Sequence, residues 1–192
     1  LVNRITPFTT TAEGTRRFDT DRVYDNVMNR YKFGGLDKPG LYLDETIMRM
    51  CYTHKRLFAT LAANLINEGD KARAKKVLEY MNQVMPEYNV PTNYFSGGMD
   101  IAGCYILLGM KKEASRIISG MWKEAVQYMH WYNDMTPSRF AMSQQECVTQ
   151  IYIMQRLYEL AVDADKKLAE QYVDEFTNVV GAYQARGGQL PE

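Results

Sequence analysis

Few residues in this sequence have types and spacing that could do chemistry. Cys51 and His54 stand three apart, which places both on one face of a helix, where a thiolate and an imidazole could hold a metal ion. Structural zinc takes four ligands, however, and no second Cys/His pair occurs in the chain, so the two read as part of a helix core. His130, beside Trp131, is equally isolated; a histidine acting as a base needs a partner within hydrogen-bond reach, and no G-x-S-x-G frame is present. Gly97-Gly98 is not followed by Lys and Ser/Thr, as a phosphate loop requires, and reads as lying inside a helical pattern. The acidic pairs Asp44-Glu45 and Asp174-Glu175 fall at helix starts or on exposed faces, where capping and solvation account for them. The aromatics cluster in QYMHWY, from Gln127 to Tyr132; they suit core packing or a partner interface, with a sugar-stacking platform as the alternative. No catalytic residue, metal ligand or cofactor site is expected from these patterns, and no cofactor.

Composition excludes further classes. The 23 basic residues cancel the 23 acidic ones, so the chain lacks the electrostatic footprint of a nucleic-acid binder or of a protein drawn to anionic membranes. Its 46% apolar and 24% charged content is that of a globular protein, and 192 residues can bury a core without metals or disulfides. Apolar runs such as Tyr105 to Leu108 are far below the roughly 18 residues of a membrane span. Cys51, Cys104 and Cys147 are widely separated and read as buried, reduced thiols, which favours a reducing compartment. The opening LVNRITPF has neither an initiating Met nor the apolar centre of a signal peptide, and is expected to be cut from a longer protein.

The elements that would position any site are helical. From Arg56 to Pro86 the spacing of Phe58, Leu61, Ala62, Leu65, Ala74, Leu78 and Pro86 follows the tetratricopeptide signature, with Gly69 at the turn. Phe58, Leu61 and Leu65 make one apolar stripe, Ala62 and Ala74 let two helices approach closely, and Asp70 can cap the second. Shifting by 40 residues brings Ile101, Ala102, Tyr105, Ala114, Ile118 and Met121 onto Leu61, Ala62, Leu65, Ala74, Leu78 and Met81, which marks a degenerate second repeat. Helices are expected at about 20–32, 45–68, 71–85, 94–108, 111–133, 138–162 and 165–183. Asp44 is expected to cap the second of these, and Thr136-Pro137 to open the sixth. The expected fold is all-α, with tetratricopeptide-like antiparallel hairpin repeats at about 55–88 and 95–128 and a capping pair at about 138–183, wound as a right-handed superhelix. An extended arm over 1–19, one domain over 20–184 and a loose tail over 185–192 complete the organisation.

On such a scaffold the inward positions fall at Arg56, Ala59, Ala63 and Ile66, then at Ser96, Met99, Gly103 and Ile106. Arg56, Ala59, Ala63, Ser96, Met99 and Gly103 are therefore the candidate interaction surface. They are mostly small or apolar, which suits close packing against another protein better than a grip on a peptide carboxylate.

The run from Tyr31 to Phe95 resembles the C-terminal region of the DUF2723 family, large polytopic membrane proteins of Bacteroidota grouped with protein O-mannosyltransferase-like glycosyltransferases. The likeness rests on Asp25-Asn26, Gly34-Gly35-Leu36, Tyr42-Leu43-Asp44-Glu45, Asn89-Val90-Pro91 and Arg139-Phe140, and covers about residues 19–160. It implies an accessory helical-repeat domain on the extracytoplasmic, periplasmic face of the inner membrane. The catalytic, lipid-linked donor site would lie in a membrane domain outside this chain. Its partners would be that membrane domain or an acceptor polypeptide. A free-standing adaptor that binds peptide segments, with a cytoplasmic location, is the alternative.

Overall fold

The computed structural model describes residues 8–10 and 16–190. Of the expected arm, residues 1–7 and 11–15 lie outside the described residues. The remainder is a short antiparallel pair of strands, β1 (Phe8–Thr10) with β2 (Arg16–Phe18), with the backbones of Phe8 and Phe18 in register. Beyond it the fold is all-α, with eight α-helices among the described residues. The chain divides into two compact units, Leu1–Leu108 and Gly109–Glu192. None of the described helices is long and apolar enough to cross a membrane.

In unit 1, Asp19 caps α1 (Thr20–Asp25) by accepting from the Arg22 N–H, and the helix widens into a π-helical turn, Asn26–Arg30. The single regular helix expected to about residue 32 is thus corrected. Asp44 caps α2 (Glu45–Asn67), accepting from the Ile47 N–H at 2.9 Å. Cys51, Phe58, Leu61, Ala62 and Leu65 form its buried stripe. Gly69 then takes φ +85°, where a Cβ would clash with the backbone, and the Asp70 N–H closes the helix end on the Leu65 carbonyl. A turn this short returns α3 (Lys71–Val84) antiparallel to α2, and Ala74, Leu78 and Met81 are fully buried.

Asp70 starts α3 by accepting from the Arg73 N–H at 2.9 Å, and it also takes the Arg73 Nε–H at 2.6 Å. These bonds, the backbone one foremost, hold its carboxyl below the usual aspartate range. A depressed value makes the cap's contribution present at neutral pH and lost as pH falls through the folded value. The stability gap between wild type and Asp70→Ala should therefore be open at pH 7 and narrow below about pH 3, read from urea midpoints.

After α3 the chain does not re-enter a helix at residue 94. Gly97 stands in the left-handed region at φ +80° and precedes α4 (Gly98–Leu107), so Gly97-Gly98 is a helix start rather than a helix interior. The left-handed residue cannot be helical, which is why the periodic pattern runs on while the helix does not.

In unit 2, α5 (Lys111–Asn133) matches its expected bounds and packs against α7 (Gln144–Ala164) and α8 (Lys166–Ala185). The one helix expected over 138–162 is two: α6 (Pro137–Met142) stops and α7 begins after Ser143. The Ser143 hydroxyl donates to the Arg139 carbonyl within that junction. The Ser143 backbone, at φ −99° and ψ 15°, lies off the α-helical basin, and that one residue separates the two helices.

All three cysteines are buried and unpaired. Burial pushes the Cys104 and Cys147 thiols up to about 11, and Cys51 upward as well. Since the thiolate is the nucleophile, a disulfide reagent at pH 8 should leave all three cysteines unmodified in the folded chain and label them on unfolding in urea.

Candidate functional site

The expected interaction surface lies along the packing of α2 against α4 within unit 1. Ala59 and Ser96 are buried, so their side chains offer nothing to a partner. Ala63, Ile66, Met99, Gly103 and Ile106 are half-buried, and Arg56 is exposed. The Arg56 side chain lies across Gly97, its Cγ 3.0 Å from where a Cβ would stand, and the Cys104 thiol lies 3.8 Å from the Ala59 carbonyl. The small residues at these positions let the two helices close on each other.

The most ordered polar arrangement in unit 1 is one that motif reading passed over. Lys55 is 0% exposed, and its ammonium donates to the Val90 carbonyl at 2.6 Å and to Thr92 Oγ1 at 2.9 Å. The neighbouring Asn89 amide donates to the Leu36 and Lys38 carbonyls, and the Tyr88 hydroxyl to the Asp37 carbonyl. The Asn93 amide reaches the Tyr52 hydroxyl, while Asn93 and Ser96 close a tight turn on each other ahead of α4. The segment from Tyr88 to Ser96 is thus a clasp that ties the Gly34 to Gly40 loop to α2. A signal for it was available: Lys55 falls between Cys51 and Phe58 on the apolar stripe, where a charge must find partners.

His54 belongs to an aromatic cluster. Its ring stands edge-on to Tyr31 and Phe33, and Phe33 also meets Phe58 and Tyr80. One ring nitrogen, Nδ1, is 2.8 Å from the Met50 carbonyl. Cys51 is buried on the same helix. No group of three metal-capable side chains occurs among the described residues.

In the QYMHWY stretch, Met129 and Tyr132 are buried, whereas Tyr128 and Trp131 are exposed and His130 faces solvent. Tyr132 lies beneath both neighbours, stacked with Tyr128 and tilted to Trp131.

Unit 2 carries an open groove of about 510 Å³, walled by Phe140, Ala141 and Val148 on one side and by Tyr183 and Arg186 on the other. Arg186 closes the end of α5, donating to the carbonyls of Asn133 and Met135, and its guanidinium lies over the Phe140 ring at 4.4 Å. The Tyr183 hydroxyl is 2.7 Å from Gln144 Oε1 and 3.2 Å from the Gln189 carbonyl. Gly188 sits so close to the Tyr183 ring that a Cβ there would come within 2.4 Å of it. The chain after α8 is therefore laid onto the ring as one wall of the groove.

No family model, curated protein or solved structure matches this chain. The site must be judged on its geometry. The clasp of unit 1 directs the Lys55 ammonium, the Asn89 and Asn93 amides and the Tyr88 hydroxyl to groups of its own chain, which suits a fixed scaffold. The groove of unit 2 combines an apolar wall with a cation, a hydroxyl and two amides, which suits recognition of a ligand.

Proposed function

We propose that this chain is a non-catalytic helical-repeat domain that mediates protein–protein or intramolecular contacts, as the accessory domain of a membrane glycosyltransferase that uses a lipid-linked sugar donor. The observation that carries the reading is where the resembling residues fall. Gly34-Gly35-Leu36 and Asn89-Val90-Pro91, remote in sequence, belong to one clasp through the bond from Asn89 to the Leu36 carbonyl. Residues of that kind preserve a scaffold, with reactive chemistry left to another part of the protein.

The repeat reading has parallel support. The residues equated by the 40-residue shift are buried in both copies, and Gly69 and Gly109 both take positive φ. We take α2 with α3 as one tetratricopeptide-like hairpin, and the matching spacing over about 95–128 as a degenerate second copy. The contact surface is placed at the start of α2, where Leu41, Tyr42, Ile47 and Met50 are exposed, Tyr42 at 90%. They lie within ten residues of one another in the chain, and exposed apolar groups that form a patch mark interaction sites more often than isolated ones do. The domain would stand on the extracytoplasmic face, beside its own membrane domain or an acceptor polypeptide.

The coding sequence upstream of Leu1 is the first test, since absence of a series of apolar spans there would overturn the reading. The second is a photocrosslinker placed at Tyr42 or Met50 of the full-length protein in native membranes. Crosslinks within the same polypeptide or to a glycosylated acceptor are expected; capture of soluble partners alone would favour a free-standing adaptor.

A further inference from the structure

We propose that the groove of unit 2 is a binding site for a small organic carboxylate with an apolar body, of the aromatic or branched-chain acid class. Four observations converge on it. The volume, about 510 Å³, lies within the range of small-molecule sites. One wall offers accessible apolar groups, Pro137, Ala141 and Val148, over the buried Phe140 ring. At its edge stands a cation without a counter-ion: Arg186 pairs with no carboxylate among the described residues, and its hydrogen bonds there go to two neutral carbonyls. Two of the five guanidinium N–H groups are used in this way, which leaves donors for a planar anion.

The guanidinium also lies over the Phe140 ring at 4.4 Å, a contact that, with the two carbonyl bonds, fixes where the cation stands. A carboxylate meeting the unused donors of Arg186 would place its apolar body along Ala141 and Val148. The Gln189 side chain, which has no partner among the described residues, lines the same groove and can donate to the second carboxylate oxygen or accept from a ligand N–H. Tyr183 and Gln144, bonded to each other, fix the floor. The site is independent of the contact surface placed on unit 1.

The test is an amide NMR titration of the whole chain with phenylacetate, with phenylacetamide as the uncharged isostere and acetate as the anion lacking a body. Saturable shifts confined to about residues 137–148 and 183–190 are expected with phenylacetate, and binding at least about tenfold weaker with the other two probes. Arg186→Lys keeps the charge but loses the fork, and should weaken phenylacetate about tenfold. Because Arg186 also closes α5, a second variant, Val148→Trp, fills the groove while leaving those bonds in place, and should abolish binding. The proposal is overturned by the absence of saturable shifts up to about 10 mM phenylacetate. It is equally overturned if phenylacetamide binds as tightly, or if Val148→Trp binds unchanged.

Discussion

Lys55→Ala is expected to lower the unfolding free energy by about 3–5 kcal/mol, the larger of the two effects set out for unit 1. The side chain is wholly buried, so alanine leaves a void where the four methylenes packed, and truncations of that size cost about 2–5 kcal/mol. The same change strips the ammonium from the Val90 carbonyl, in a segment where Val90 itself is 0% exposed. A buried acceptor deprived of its donor adds about 1–3 kcal/mol, which the relieved cost of burying the ammonium partly offsets. Lys55→Met separates the two contributions, since the thioether chain keeps nearly all the volume and loses only the charge-assisted bonds. It should lose about 1–3 kcal/mol, and hydrogen exchange should quicken from Tyr88 to Ser96. Urea midpoints of the three proteins decide the matter. A methionine variant at or above the wild-type midpoint would show that the ammonium is tolerated in the core rather than used there, as happens when desolvation outweighs pairing.

The same residue shows how far the sequence could be read and why reading stopped. Both ends of α2, the start of α3 and the end of α4 were legible because local chemistry marks them: Asp44 and Asp70 cap, and Gly69 and Gly109 terminate. The start of α4 and the break at Ser143 were not, since in both places apolar residues keep a helical period while one residue's backbone leaves the helix. The π turn after α1 is likewise invisible to a period of 3.6. Hydropathy alone puts Lys55 outside, and only its neighbours Cys51 and Phe58 on the same stripe argue otherwise. The clasp partners Leu36, Asp37 and Lys38 contribute backbone carbonyls, which no side-chain pattern can announce. The groove is opaque for a related reason. Phe140 and Arg186 are far apart in the chain, and their meeting depends on where α6 stops and how the chain leaves α8.

In unit 2 the corresponding expectation is that Trp122→Ala costs about 4 kcal/mol and releases α8. Trp122 is 1% exposed on α5, and its ring lies parallel to that of Tyr172 on α8, with centroids 3.7 Å apart and an interplanar angle of 4°. The indole N–H donates to the Glu175 carboxylate one turn further along α8, and the Tyr172 hydroxyl stands 3.3 Å from Ser119 Oγ on α5. Truncating a buried Trp typically costs about 3–5 kcal/mol, and loss of an aromatic stack adds about 0.5–1.5 kcal/mol, part of which collapse of the cavity recovers. Trp122→Phe keeps a ring against Tyr172 and removes the N–H, so its loss should be nearer 1–2 kcal/mol. The chain's other tryptophan, Trp131, is 57% exposed, so a Trp131→Phe background with tryptophan-selective excitation leaves Trp122 as the emitter and its quenching by Tyr172 and Glu175 as a direct report on α8 docking. Because α8 carries Tyr183 and runs directly into Arg186, Trp122→Ala should loosen the groove together with the helix, and exchange protection along Val179 to Arg186 should fall in step with the midpoint. Protection that survives at wild-type levels in the alanine variant would show instead that α7 alone holds α8 in place, with the stack a passenger on that contact.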